Sequence, residues 1–242
     1  MASVPTLDIE AVLKPISAEK PAGIDIQEAK SFGILKEARR DEEALNQGDW
    51  KRDIKVADWP KVVQLATKIL TTESKDLQVA SWLVEGLVKR HGFAGLRDGL
   101  KVMRGLHEHF WDSMFPLVED GDVEFRSGKI EALTQKLPVA LKMAPILKPQ
   151  GGTHYTYSHY EESRQVENLR RAGAQSQEAL VEALAEGKID VEKFDKVVAG
   201  VPLNHCSNLL EDLSQSQEEL DPPPATRNSP AARTGGERGD PP

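Results

Sequence analysis

The most informative shortage in this sequence is cysteine, because Cys206 is the only one among 242 residues. A single thiol excludes an internal disulfide framework and is typical of proteins kept in a reducing compartment. No apolar run approaches the roughly 20 residues that span a bilayer, and the first residues carry neither a basic nor an apolar signal segment. We therefore expect a cytoplasmic protein without a membrane span.

Positive charge is in the minority. The sequence has 31 Lys and Arg residues against 39 Asp and Glu residues, which gives a net charge of −8. A nucleic-acid-binding protein needs a basic stripe that displaces phosphate counterions, and no such stripe stands out. Nucleic acid is therefore not an expected partner, whereas the 39% hydrophobic content is that of an ordinary globular protein.

Strand patterns are also missing, and apolar residues recur at helical spacing between residues 27 and 149. Asp58 followed by Pro60 predicts the start of one helix. Ser74 predicts the cap of the next helix and Gly92 its end. The sequence thus predicts an all-α fold, a helical bundle of antiparallel helix hairpins.

Composition divides the chain into three parts. We predict a helical domain over residues 1–149, a smaller helical extension over 150–220 and a disordered Pro/Gly-rich tail over 221–242. Nine of the 22 tail residues are Pro or Gly, and none has an apolar side chain large enough to offset the entropy of ordering. Within the first two parts we expect a helix break near Lys136, ahead of Pro138, and one polar helix from Glu161 to Glu186.

Four glycines lie inside the two central predicted helices, at positions 86, 95, 99 and 105. Each costs a helix about 1 kcal/mol relative to Ala. We interpret them as places where two helices approach too closely for a side chain.

A catalytic or metal site would have to use the histidines or the cysteine. His107 and His109 point about 200° apart on a helix and cannot chelate one metal. Cys206 falls on an apolar helical stripe, which predicts a small core residue. His154 and His159 lie in a Tyr-rich connector, and a metal-dependent hydrolase using this region stays open as an alternative. We predict no catalytic residues, no metal and no cofactor, and we do not expect an enzyme.

The four tryptophans divide into two pairs. Trp59 and Trp111 are predicted core residues. Trp82, at the edge of an apolar helix face, and Trp50, in a charged loop, are candidate protein-interface residues, because Trp is enriched at interaction hot spots. Core packing accounts for these two about equally well.

Five short segments follow one another between residues 21 and 116. They are Pro21-Ala22-Gly23-Ile24-Asp25, Asp58-Trp59, Ser74-Lys75-Asp76-Leu77, His91-Gly92-Phe93-Ala94-Gly95-Leu96, and Phe110-Trp111 with Pro116. In this order they resemble the ImpA-type N-terminal domain of the TssA family of bacterial type VI secretion.

The resemblance implies a non-enzymatic assembly or adaptor component that binds baseplate, sheath or tube proteins of the contractile apparatus. Members of the family usually carry a ring-forming C-terminal domain, which this sequence does not show after Leu220. A homo-oligomer is therefore left open. A self-assembling helical scaffold unrelated to secretion is a further alternative.

Overall fold

The computed structural model describes residues 1–42, 55–149 and 153–221. Within these ranges the chain forms ten α-helices and one short antiparallel ladder. The helices are α1 (Ile9–Leu13), α2 (Lys30–Arg39), α3 (Trp59–Thr72), α4 (Leu77–His91), α5 (Phe93–Phe110), α6 (Glu124–Lys142), α7 (Tyr157–Arg171), α8 (Gln177–Ala185), α9 (Val191–Ala199) and α10 (Leu203–Leu220). The strands are β1 (Pro145–Leu147) and β2 (Tyr155–Thr156). The all-α prediction is confirmed, and no described helix is long and apolar enough to cross a membrane.

The starts of α3 and α4 show how local sequence sets the helix ends. Asp58 caps α3 as predicted, and its Oδ1 accepts a hydrogen bond from the Lys61 N–H at 3.1 Å. The cap of α4 is Asp76, which accepts from the Val79 N–H at 2.9 Å. Ser74 was the predicted cap, and that prediction is wrong. Its hydroxyl is buried without a hydrogen-bond partner in the described part of the chain.

Helix α4 is the centre of the bundle, because it packs against α3, α5 and α6. Leu77, Leu83, Val84 and Leu87 are fully buried on this helix. They belong to a main core that runs from α1 to α6. A separate, smaller core joins the ladder to α9 and is formed by Leu147, Ile189, Phe194 and Val201.

The helical glycines occupy close contacts, as predicted. A Cβ on Gly95 would lie 2.1 Å from the Leu87 carbonyl oxygen, and one on Gly99 would lie 3.1 Å from a Val84 methyl carbon. Both contacts join α5 to α4 across their tight turn. Gly92 makes that turn with a φ of +60°, a conformation that L side chains rarely adopt.

Two helix boundaries differ from the predictions. The predicted break near Lys136 is wrong, because α6 continues through Pro138 to Lys142. Pro138 is exposed, so water can reach the carbonyl that its missing N–H leaves free, while Leu133 and Ala140 are buried. The predicted single helix from Glu161 to Glu186 is two helices, α7 and α8. A 3-10 turn at Gly173–Ser176 separates them, and Gly173 has a φ of +69°.

Helix α10 returns to pack against α5, held by a buried ion-pair network. The Arg97 guanidinium pairs with Asp98 at 2.7 Å and also with Asp212 of α10. Asp212 in turn accepts from the N–H and hydroxyl of Ser3, and Asp98 accepts from the N–H and hydroxyl of Thr6. The network thereby ties the N-terminal residues and α10 to α5.

A second arginine fixes the end of α10. Arg104 of α5 donates to the carbonyl oxygens of Glu219 at 3.0 Å and Glu218 at 2.9 Å, and to that of Asp221. These carbonyls are the acceptors that a helix leaves unpaired at its C-terminus, where a cation is favourable.

This docking overturns the prediction for Cys206. The thiol is exposed and not part of a core, because α10 turns its polar face toward α5 and its apolar stripe toward solvent. The division into residues 1–149, 150–220 and 221–242 stays a prediction, and residues 222–242 lie outside the described residues.

Candidate protein-interaction surface

Three of the five family-like segments, those around Gly23, Lys75 and Phe115, meet at the N-terminal end of α4. Gly23 forms a bridge with Ser74, in which the Lys75 N–H donates to the Ala22 carbonyl at 2.8 Å and the Ile24 N–H to the Glu73 carbonyl at 3.2 Å. Gly23 has a φ of +80°, and a Cβ there would lie 2.1 Å from the Glu73 oxygen. Glycine is therefore required at this position by both conformation and space.

The Lys75 side chain is buried beneath this bridge. Its ammonium donates to the Leu70 carbonyl at 2.6 Å and to the Val12 carbonyl, and it lies 5.3 Å from the centre of the Phe110 ring. Burial lowers the pKa of Lys75 to about 8, because the charged form loses its hydration. Lys75 thus links α1, α3 and the end of α5.

The next residue, Asp76, is buried as well. Burial raises the pKa of Asp76 to about 6, although hydrogen bonds from the N–H groups of Val79 and Gln78 lower it. A carboxyl with a raised pKa in a cleft is a candidate for acid–base chemistry. Here both the geometry and the hydrogen bonds are those of a helix cap.

The segment from Phe110 to Pro116 closes the same end of the bundle. The Phe115 N–H donates to the Lys75 carbonyl at 2.9 Å, and the Leu77 N–H donates to the Phe115 carbonyl at 2.8 Å. The peptide bond between Phe115 and Pro116 is cis. Through these two backbone hydrogen bonds the segment packs alongside the turn that precedes α4.

Arg126 of α6 binds the backbone of this segment. Its guanidinium donates to the carbonyl oxygens of Trp111 and Met114, both at 2.7 Å, and its Nε donates to that of Pro116 at 2.8 Å. The guanidinium also lies 4.8 Å from the centre of the Trp111 ring. The charged residues at this junction therefore bind the protein's own backbone, which gives them a structural role.

Sequence reasoning missed Lys75, Arg97 and Arg126 as buried cations. In the sequence, burial of such a cation is indicated by a charged residue at a position where helical periodicity predicts an apolar one. Arg97, one residue after Leu96, is an example. Their partners lie up to 115 residues away along the chain, so periodicity alone does not identify them.

The histidines considered for metal binding are not brought together. His159 Nδ1 accepts from the Thr156 N–H at 3.0 Å and lies 2.8 Å from its hydroxyl, which completes the capping box of α7. His154 is exposed. His107 Nδ1 lies 2.7 Å from the Met103 carbonyl, and its ring stacks on Trp111. No cluster of three His, Cys, Asp or Glu side chains suited to a metal occurs among the described residues.

The structure describes one of the two candidate interface tryptophans. Trp50 lies outside the described residues. Trp82 is half-buried, stacks on Phe32 with 5.1 Å between ring centres, and has the Arg39 guanidinium 5.4 Å from its ring centre. Packing of α2 against α4 accounts for this side chain, and its role in an interface stays a prediction.

One group of exposed apolar side chains lies at the start of α6 and in the loop that precedes it. Leu117, Val123 and Phe125 are exposed within nine residues of chain, and Phe125 is exposed by 71%. Phe125 borders a groove of about 510 Å³ whose other walls are Gln78, Glu124, Gly128, Lys129 and Ala132. The intervening loop, residues 119–122, carries three acidic side chains. We call residues 117–125 the α6 patch.

These features define an all-α domain in which buried cations join the elements through hydrogen bonds and apolar side chains are exposed to solvent. A family model described as "ImpA, N-terminal, type VI secretion system" matches residues 13–135. The chain belongs to this family, as the five ordered segments indicate.

Two relatives extend this result. The chain is 32% identical over 128 residues to the type VI secretion system component TssA1 of Pseudomonas aeruginosa, and the match covers 53% of this chain and 37% of that protein. It also resembles a solved N-terminal domain, including the conserved ImpA_N region, of the TssA component from Burkholderia cenocepacia. That likeness has a TM-score of 0.70 and 26% identity, and it covers 90% of this chain and 86% of the other. The chain thus spans little more than a third of the length of the curated relative.

Proposed function

We propose that this protein is a non-enzymatic assembly component of a type VI secretion apparatus and acts in the cytoplasm by binding other proteins of the apparatus. Family membership supports the secretion role. The observation that carries the non-enzymatic role is the junction at α4, where Lys75 and Arg126 donate to backbone carbonyls instead of facing a cleft.

The α6 patch is the surface that best fits a protein partner. Exposed aromatic side chains are common anchors of protein interfaces, where they fill a pocket of the partner. Phe125 is next to Glu124 and the acidic loop at 119–122. We therefore infer a partner surface with an apolar pocket and a basic rim. Baseplate, sheath and tube proteins are the classes that the family resemblance puts forward.

Binding to purified baseplate, sheath and tube subunits of the same bacterium tests this function directly. We expect the folded chain to bind at least one of them, and Phe125→Gln to weaken that binding by about 30-fold or more, the effect of an interface hot spot.

Val139→Gln is the matched control, because Val139 is 64% exposed on the same helix but lies outside the patch. Failure of the folded chain to bind any subunit would sink the proposed function. Equal effects of the two substitutions would instead show that the patch is wrongly assigned.

The hydrolase alternative is not favoured, because the ring nitrogen of His159 is committed to Thr156. A scaffold unrelated to secretion is not favoured either, given the family match over residues 13–135.

A further inference from the structure

Helix α10 is docked with its polar side inward. The side chains that are buried or half-buried on this helix are His205, Asn208, Leu209, Asp212, Gln215, Ser216 and Glu219. Six of these seven are polar, and Asp212 and Ser216 are almost fully buried. Ion pairs and hydrogen bonds with Arg97 and Arg104 hold this face on α5.

The opposite face of α10 carries an apolar stripe that faces solvent. Three of its leucines are strongly exposed, with 84% for Leu203, 66% for Leu210 and 68% for Leu220, and the fourth, Leu213, is exposed by 38%. Together with two further exposed residues they form one row. The row, which we call the α10 seam, consists of Leu203, Cys206, Leu210, Leu213, Gln217 and Leu220.

The spacing along the α10 seam alternates strictly between three and four residues. Such spacing keeps side chains on one line of contact with another helix, as in the a and d positions of a coiled coil. The seam therefore fits a helix as its occupant. The sequence of residues 221–242 lacks the pattern of an amphipathic helix, because it contains six prolines and no apolar side chain larger than proline.

We propose that the α10 seam pairs antiparallel with the same seam of a second copy of this chain. In that orientation the six positions match one another about the centre of the helix. Leu203 faces the partner's Leu220, Leu210 faces the partner's Leu213, and Cys206 faces the partner's Gln217. Every leucine meets a leucine, and the two less apolar residues meet each other, so one patch serves both copies around a two-fold axis.

Charge beside the seam also permits self-pairing. The exposed residues that flank it in the e positions are Ser207 and Ser214, which are neutral. The acidic Glu211 and Glu218 occupy the b positions, farther from the contact line. Two copies therefore meet without like charges directly opposed, although the chain as a whole carries −8.

The helix is also preorganised for pairing. Its docking on α5 means that little conformational entropy is lost when the seam is covered. Since 18 residues of helix are about 27 Å long, the contact is at the small end of specific interfaces. We expect a concentration-dependent dimer with a dissociation constant that is roughly micromolar or weaker.

Sedimentation velocity of the purified chain over a wide concentration range tests self-pairing. We expect a monomer–dimer equilibrium that disappears in the double variant Leu210→Gln/Leu213→Gln. The control is Val181→Gln on α8, where the side chain is 58% exposed outside the seam. Thermal unfolding followed by circular dichroism verifies that each variant is folded.

Cross-linking determines the orientation. The variant Gln217→Cys places a second thiol opposite the partner's Cys206, so mild oxidation should give a disulfide-linked dimer. Positions 206 and 217 lie about 16 Å apart along one helix and cannot bridge within a chain. Wild-type chains, with Cys206 alone, should remain uncross-linked.

A monomer at all concentrations would overturn self-pairing, as would a dimer that survives the double substitution in a folded protein. Efficient oxidation of the wild type through Cys206 would overturn the antiparallel orientation and indicate a parallel seam. If the chain is monomeric and the seam variants lose binding to a secretion subunit, self-pairing is wrong and the seam binds a helix of that subunit.

Discussion

Helices α4 and α10 both pack against α5, but they bury opposite kinds of side chain. α4 buries apolar residues such as Leu83 and Leu87, whereas α10 buries Asp212 and exposes Leu210. The packing of α4 is stabilised by the removal of apolar area from water, which contributes about 25 cal/mol per Å². Specific ion pairs place α10, and their attraction is largely offset by desolvation. A helix docked in the second way keeps its apolar face for another partner.

The two modes of docking predict different consequences of mutation. Substitutions at the α4 junction should affect the whole bundle, because α4 contacts α3, α5 and α6. Substitutions in the α10 network should act first on α10 and the N-terminal residues, and substitutions on the α10 seam should leave the monomer intact.

The largest effect is expected from Arg126→Ala. The substitution removes the donor to three carbonyl oxygens, those of Trp111, Met114 and Pro116, and should lower the free energy of unfolding by about 3–5 kcal/mol. Urea unfolding followed by circular dichroism measures it. Arg171→Ala is the control, since that side chain is 75% exposed, and a comparable loss in both variants would contradict the structural role of Arg126.

A smaller, local effect is expected from Asp212→Ala. Among the described residues it leaves the buried Arg97 guanidinium with one carboxylate partner, Asp98, beside the Ser3 carbonyl oxygen. The substitution should lower the free energy of unfolding by about 2–4 kcal/mol. Amide exchange should accelerate in α10 more than in α4. Glu211→Ala, at the adjacent exposed position, should change little. Uniform acceleration across both helices would show that α10 is not a separately docked element.

The pH dependence of stability tests the buried cap of α4. The pKa of Asp76 rises from its usual 3.8 to about 6 in the folded protein, mainly through burial and with a contribution from Asp25, while Lys129 opposes the shift. Because the folded pKa is the higher one, this group's contribution to stability is complete below pH 3.8 and is lost as the pH rises through 6.

Asp76→Asn keeps an acceptor for the cap and removes the titration. The variant should match the wild type near pH 4 and exceed its free energy of unfolding by about 2–3 kcal/mol near pH 8. Urea unfolding at a series of pH values measures this difference. Parallel stability curves for the two proteins would contradict a raised pKa.

The smallest effect is expected on the α10 seam. At concentrations where the chain is monomeric, Leu210→Ala should change the free energy of unfolding by less than about 0.5 kcal/mol, because the side chain already contacts water. The same substitution at Leu83, which is fully buried on α4, should cost about 2–5 kcal/mol. A large loss for Leu210→Ala would mean that the seam is covered within the monomer.

Helix type and many helix ends could be predicted because they depend on neighbouring residues. Asp58 caps α3 and Gly92 ends α4 as predicted, and α9 spans Val191–Ala199 as expected. The prediction of a helix break near Lys136 was wrong, because packing of Leu133 and Ala140 outweighs the local effect of Pro138. Of the candidate site residues, Trp82 stacks on Phe32, a contact that local patterns do not reveal because Phe32 lies 50 residues away along the chain.

The all-α class, the close approach of helices at Gly95 and Gly99, and the family could be predicted, because they follow from periodicity, residue size and the order of short segments. The buried face of α10 could not be predicted in this way. Periodicity detects an apolar stripe but not what covers it. In α10 the partners of Asp212 and Glu219 are Arg97 and Arg104, which come more than a hundred residues earlier, and their charges outweigh the pattern of the helix itself.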